Sequence, residues 1–298
     1  MRAVVTGGAG FIGSHLADAL VARGDDVAVV DNLARGTREH IPREAQFYEL
    51  DIQDDVAAAF ADIRPDVCFH LAAQADVRVS VSQPANDASV NVIGSINVLE
   101  AAGAHDAKVV FSSTGGAIYG ECTEPASEDR DLEPLSPYGA AKLAAEVYVG
   151  MWNRLHGTTH AIARYANVFG PRQDAELEGG VVAIFFERMR RGESTTIYGD
   201  GSQTRDFVHV GDIVAATLAA VDAQGVFNVG SGSETTILEL HELCARVAGI
   251  DSKPQFAAER LGEIRRSVLD ATRAGRELGW KPKLTLEEGL RQTWEAGA

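Results

Sequence analysis

Lysine is scarce in this chain. Only five of its 27 basic residues are lysine, against 43 acidic residues, and the formal net charge is −16. Such a balance argues against nucleic acid or an anionic membrane surface as a partner. A polyphosphate ligand would therefore have to meet local arginines and helix N-termini. Acid excess with little lysine also suits a salt-rich cytosol. Cysteine is rare as well: Cys68, Cys122 and Cys244 are odd in number, widely spaced and without metal-ligand spacing, which reads as free thiols in a reducing cytoplasm. The apolar run Val181–Phe186 is far too short to span a membrane. Met1-Arg2 leads straight into an apolar strand, so no cleavable signal is expected. What remains is a 298-residue chain of ordinary 45% hydrophobic content, enough for a large domain with a smaller lobe.

The first half alternates strand and helix signals. Ala3-Val4-Val5 leads into Thr6-Gly7-Gly8-Ala9-Gly10-Phe11-Ile12-Gly13-Ser14, a strand, a glycine turn and a helix start. Gly7, Gly10 and Gly13 permit a tight turn, close approach of backbone to a pyrophosphate, and helix packed on strand. The helix running to Ala22 would aim its first N–H groups at that pyrophosphate. A second strand, Asp26 to Val30, ends at Asp31-Asn32, where a carboxylate holds adenosine ribose hydroxyls and repels a 2′-phosphate, favouring NAD over NADP. A third, Phe47 to Leu50, ends at Asp51-Ile52, and a fourth, Val67 to Leu71, at Ala72-Ala73-Gln74-Ala75. Pro84 to Ala104 reads as one long helix with Asn91 facing inward, either a buried amide tying loops together or an organiser of a cofactor site. A fifth strand from Lys108 ends in Ser112-Ser113-Thr114, and a sixth spans His160 to Arg164. The alternation predicts an α/β fold, a doubly wound parallel sheet of Rossmann type, with ligands at the carboxyl ends of the strands.

Pro137 opens a helix predicted to run to about His156. It carries Tyr138 and Lys142 at i and i+4, on one face and one turn apart. Free tyrosine has a pKa of about 10 and is a poor base at neutral pH; a nearby ammonium favours the phenolate. A lone Y-x-x-x-K is often only solvated helix surface and takes its meaning from the strand ends around it.

Together, T-G-G-A-G-F-I-G-S, D-N-L, L-A-A-Q-A, S-S-T, Y-G-A-A-K and R-Y-A-N-V-F-G-P-R resemble the extended short-chain dehydrogenase/reductase family. Within it they are most similar to nucleotide-sugar 4-epimerases of the UDP-galactose (UDP-glucose) type. The resemblance implies that Tyr138 takes the proton of the sugar 4-hydroxyl while hydride passes from C4 to NAD. It gives Lys142 the tasks of lowering the tyrosine pKa and bonding the nicotinamide ribose, and Thr114 that of relaying the proton. Gly7, Gly10, Phe11, Ile12 and Gly13 would hold NAD, with Asp31, Asn32, Asp51 and Ile52, then Leu71, Ala72, Ala73 and Gln74, and finally Asn91, Tyr138, Lys142 and Tyr165. Gly115-Gly116 stand where dehydratases and decarboxylases of the family carry an acid, which favours epimerisation.

The resemblance also assigns a UDP-sugar site. Arg205 in G-D-G-S-Q-T-R-D-F and Arg260 in R-L-G-E would grip the diphosphate. Glu263 would take the uridine ribose, Tyr198 would stack on uracil and Asn167 would meet a phosphate oxygen. Ser267, five residues past Gly262, would replace a bulky wall beside the sugar 2-substituent; the bland alternative is a turn-capping serine. The expected domains are 1–166 for NAD, regained at about 208–232, and 167–298 mainly for the nucleotide sugar. The rival substrates are UDP-N-acetylglucosamine and UDP-glucuronate, the latter calling on Arg78 or Arg265 for its carboxylate. A non-catalytic NAD-sensing regulator is the rival of another class, against which the intact Thr114, Tyr138 and Lys142 set argues. A homodimer joined through helices at about 84–104 and 136–156 is expected.

Overall fold

The structure, a computed structural model, describes residues 1–176, 180–259 and 264–297. Its first strands are β1 (Arg2–Thr6), β2 (Asp26–Asp31), β3 (Gln46–Glu49), β4 (Val67–His70), β5 (Lys108–Thr114) and β6 (Ala161–Tyr165). Then come β7 (Asn167–Phe169), β8 (Thr196–Tyr198), β9 (Thr204–His209), β10 (Gly225–Val229), β11 (Glu234–Thr236), β12 (Gln255–Ala257) and β13 (Arg266–Ser267). The chain divides into two compact units. One comprises Met1–Thr114, Ser136–Arg164 and Val214–Phe227; the other comprises Gly115–Leu135, Tyr165–Ile213 and Asn228–Ala298.

The first unit is built on a seven-stranded sheet of order β10-β6-β5-β4-β1-β2-β3. From β5 to β3 each neighbouring pair is parallel. β4 is buried at every position and β1 at all but its first, the continuous apolar run of a strand covered on both faces. Val4, Val30, Phe60, Cys68, Phe111 and Ile162 belong to its core, together with Val98, Leu99 and Val149 from helices. The order reverses beside β1, the switch point at which ligands bind in such sheets.

The Pro137–His156 helix has the predicted bounds, for local reasons. Ser136 accepts from Gly139 N at its start, Pro137 occupies the first turn, and Gly157 at φ +66° ends it, each a favoured terminal residue. The predicted helix over 84–104 is not uniform. It runs as Pro84–Ala88, a π turn at Ser89–Ile93, and Gly94–Gly103. The widened turn holds Asn91, whose buried carboxamide is engaged on both sides, as described below; π turns often serve to seat such a side chain. Gly94 then lets the helix approach Ile52, whose Cδ1 a Cβ there would meet at 2.7 Å.

The second unit has its own core, including Phe169, Phe185, Phe186, Ile197, Phe207 and Leu240. Its sheet runs β11-β9-β13, with β7 beside β9, and β8 pairs with β12. Two of its helices, Ile237–Ala248 and Leu286–Glu295, begin with reciprocal Thr/Glu capping boxes, which satisfy N–H groups that would otherwise be orphaned. Among the described residues no helix is long and apolar enough to cross a membrane.

Candidate active site

In the first unit the glycine turn follows β1 as predicted, and its three glycines do different work. Gly7 has φ +73°, and a Cβ there would lie 2.6 Å from Ala72 N; at Gly13 it would lie 2.1 Å from Gly7 O. Those two are demanded by the protein's own packing. At Gly10 a Cβ would meet nothing nearer than Gly7 O at 3.3 Å, so its bareness serves whatever lies outside the turn. Gly10 is also the N-cap of the Phe11–Ala22 helix and makes no side-chain cap bond. The first N–H groups of a twelve-residue helix are thus left for an anion, and this fits a dinucleotide pyrophosphate.

Asp31, at the end of β2, accepts from Ala9 N at 3.0 Å and Leu33 N at 2.8 Å. It braces the glycine turn while each oxygen keeps a lone pair for a ribose hydroxyl. Burial pushes its carboxyl up, and the two amides draw it back. Asn32 donates to Asp51 Oδ2 at 2.7 Å, tying the ends of β2 and β3 together. Ile52 is buried, and its carbonyl accepts from Asn97. After β4, Leu71 N donates to Thr6 O and Ala72 N to Thr6 Oγ1, so the Leu71–Gln74 stretch lies against the glycine turn. Asn91 is a buried amide that ties loops together at a stretch expected to face the cofactor. Its Oδ1 accepts from Gln74 N at 3.0 Å, while Nδ2 donates to Gln74 O and Asp87 Oδ1, so it positions that stretch.

Tyr138 and Thr114 come together, close enough for the Thr114 side chain to draw the phenol down against its burial. Lys142 is buried; its Nζ donates to Ser112 O at 3.0 Å and sits 4.9 Å from the Phe111 ring centroid. Burial pulls the Lys142 ammonium down to about 8, opposed by the charges of Asp87 and Glu146. Burial pushes the Tyr138 phenol up, Asp87 adds to that, and Thr114 draws it back. The Lys142 ammonium is turned toward the Ser112 carbonyl and the Phe111 face.

Sequence reasoning missed the polar groups beneath this pair. His70 bridges Thr6 Oγ1 at 2.7 Å and Ser95 Oγ at 3.0 Å. Burial, then the charge of Lys142, lowers its pKa to about 3, so it stays neutral. Glu146 grips Arg164 with Nη2–Oε2 at 2.6 Å and Nε–Oε1 at 2.9 Å, both side chains 5% exposed. Its four-residue spacing from Lys142 was the available signal. Asp87 was legible only as the residue one turn before Asn91.

The second unit holds the residues expected to bind the sugar nucleotide, apart from Thr114. β9 and β13 pair with Ser267 opposite Arg205, which brings these two together. Arg205 Nη1 donates to Thr204 O. The neighbouring Asp206, 1% exposed, accepts from Ser231 N and Oγ, Gly232 N and Leu269 N, which anchors the strand. Asn167 begins β7 with its Oδ1 buried and without a hydrogen-bond partner. A Cβ on Gly116 would lie 3.4 Å from that oxygen, and one on Gly115 would lie 2.4 Å from Leu269 Cδ1. A side chain at Gly115 would therefore displace Leu269, whereas Gly116 has room for a Cβ. Tyr198 ends β8 half-buried, its carbonyl taking Gln203 Nε2. Tyr165 is buried and falls in this unit. Arg260 and Glu263 lie outside the described residues.

Comparison with known proteins bears on this geometry. The profile of the NAD dependent epimerase/dehydratase family matches residues 3–230. A UDP-glucose 4-epimerase of Mycolicibacterium smegmatis is 46% identical over 306 residues, covering 99% of this chain and 98% of its own. Among solved structures, the UDP-glucose 4-epimerase of Thermotoga maritima with UDP-glucose superposes with a TM-score of 0.97 at 48% identity, covering 100% of this chain and 98% of that one. The Thermus thermophilus UDP-glucose 4-epimerase in complex with NAD gives 0.96 at 44%, covering 99% and 98%.

Proposed function

The chain belongs to the NAD-dependent epimerase/dehydratase family, and from that premise we propose that it interconverts UDP-glucose and UDP-galactose through a 4-keto intermediate. The observation that carries this reading is the placement of Thr114 beside Tyr138, with buried Lys142 one turn further along the helix, in a unit whose glycine turn and Asp31 suit NAD. When bound, NAD supplies a hydride acceptor and donor and a cationic ring, an opposite charge that favours a phenolate. Tyr138 removes the proton of the sugar 4-hydroxyl and returns it after the intermediate has turned. Thr114 holds the hydroxyl in line. Gly7, Gly10, Phe11, Ile12 and Gly13 receive the pyrophosphate, and Asp31 with Asn32 the adenosine ribose. Arg205 and Asn167 engage the diphosphate, with Tyr198 on the uracil. Arg260 and Glu263 complete this assignment by resemblance.

The test is direct. Purified protein given UDP-galactose without added cofactor should produce UDP-glucose, and denaturing it should release NAD. Release of NADP would overturn the Asp31 assignment, and absence of turnover the whole reading. The glucuronate alternative is not favoured, since its two arginines are already paired: Arg78 with Asp76 at 2.8 Å and Arg265 with Glu259 at 2.8 Å.

Ser267, 4% exposed and opposite Arg205, supports a wider substrate range. A serine leaves room for a 2-acetamido group and offers it a hydroxyl. UDP-N-acetylglucosamine is therefore an expected second substrate, and Ser267→Tyr should suppress it while sparing UDP-glucose. Equal loss of both in a kcat/KM comparison would refute the gate.

A homodimer is part of the proposal. Val147 and Leu155 on the Pro137–His156 helix and Ile93 on the π turn are more than half exposed, apolar surface that a second copy would cover. Sedimentation velocity should show twice the chain mass. Three buried free thiols suit a reducing compartment such as the cytoplasm.

A further inference from the structure

Asp87 sits on the short Pro84–Ala88 helix, 1% exposed. Its Oδ1 accepts from Gln74 Nε2 at 2.8 Å and Asn91 Nδ2 at 3.1 Å. Its Oδ2 is buried with no hydrogen-bond partner. A buried carboxylate oxygen left bare is costly and calls for a reason. The π turn that follows, Ser89–Ile93, keeps Asn91 directed at this carboxylate, so the local backbone is irregular at the same place.

The charges around it show what is unbalanced. Of the carboxylates near the start of the Pro137–His156 helix, Asp76 is paired with Arg78 and Glu146 with Arg164. Among the described residues Asp87 has no such guanidinium. On the opposing helix are Tyr138, Lys142 and Glu146; on the Val77–Ser82 helix and its cap are Arg78 and Asp76; the π turn carries no ionisable group. His70 stays neutral. Lys108, at the far end of β5, is bonded to the Thr159 and Ala223 carbonyls, and Glu100 on the Gly94–Gly103 helix is exposed. Among the described residues Lys142, on the helix packed against that of Asp87, is the cation left to answer it.

We propose that Asp87 is a positioning residue, the counter-charge that keeps buried Lys142 an ammonium and thereby sets the alkaline limit of the site's activity. The charge of Asp87 raises the pKa of both Lys142 and Tyr138. Removing it must therefore lower both, and the alkaline limb of the pH–rate profile, where the ammonium is lost, moves toward acid. A residue that only shaped the fold would change stability and leave the limbs in place. The inference rests on the epimerase reading for its catalytic meaning, but not for its electrostatics.

The scarcity of lysine makes the test practical. Isotope-labelled lysine gives five side-chain signals, and Lys142→Met identifies the one that matters. In the purified holoprotein the Lys142 midpoint should fall by about 1 pH unit in Asp87→Asn and Asp87→Ser, with kcat about tenfold lower on the alkaline limb. Asp87→Glu, which keeps the charge, should leave the midpoint near that of the unaltered protein. Neutral variants that fold with an unmoved midpoint overturn the proposal. So do neutral variants that do not fold while the glutamate variant does, since Asp87 is then a folding residue. A shifted midpoint in a protein without epimerase turnover would leave this proposal standing and remove the functional one.

Discussion

Tyr138→Phe is expected to lower turnover by about 10²–10⁴-fold, the usual worth of a positioned general base, with nucleotide-sugar affinity retained. The ring is half-buried beside Thr114, so phenylalanine fills the same volume and removes only the proton acceptor. Thr114→Val should cost less, because water can stand in for a hydroxyl that only orients. Steady-state kinetics with UDP-galactose, alongside calorimetric binding of UDP, separates the two effects. Near-normal kcat in the phenylalanine variant would remove Tyr138 from the role of base. A fall in affinity equal to the fall in kcat would mean that the site had been distorted.

The second large effect concerns stability. Glu146→Ala leaves Arg164 a buried, unanswered guanidinium, and breaking such a pair costs about 3–5 kcal/mol. The geometry is good: Arg164 reaches the carboxylate through Nε at 2.9 Å and Nη2 at 2.6 Å, with both side chains 5% exposed. Urea unfolding should show the midpoint falling at constant slope. Replacing both partners by hydrophobic residues of similar volume, as in Glu146→Leu with Arg164→Met, should restore most of the loss, because no charge is then stranded. If the alanine variant lost less than about 1 kcal/mol, water would be reaching the pair and its burial would not govern its energy. The same glutamate also supports the charge of Lys142, so the alanine variant should lose activity at alkaline pH ahead of any unfolding.

Much of the first unit was legible because its signals are local. A strand buried on both faces is a continuous apolar run, and β1, β2 and β4 are such runs. The glycine turn announces itself by glycines that no other residue can replace, as Gly7 and Gly13 demonstrate sterically. The bounds of the Pro137–His156 helix were set by Ser136, Pro137 and Gly157. Tyr138 and Lys142 share a face through helix period alone, and the resemblance to a known family supplied Thr114 as their partner.

Contacts between distant segments were not legible. The direction of the Lys142 ammonium depends on the Ser112 carbonyl, 30 residues away. The π turn depends on Asn91 meeting Gln74 across 17 residues. The packing of Gly115 on Leu269 and of Asp206 on four donors from two other segments has no periodic trace. So the chain by itself determined where the turns, caps and buried strands lie, since those follow from neighbours a few residues apart. The tertiary structure alone decided which charges are answered and which are not. Glu146 finds Arg164, Asp76 finds Arg78 and, among the described residues, Asp87 finds no guanidinium, because charge balance in a buried site is a property of what folding brings together.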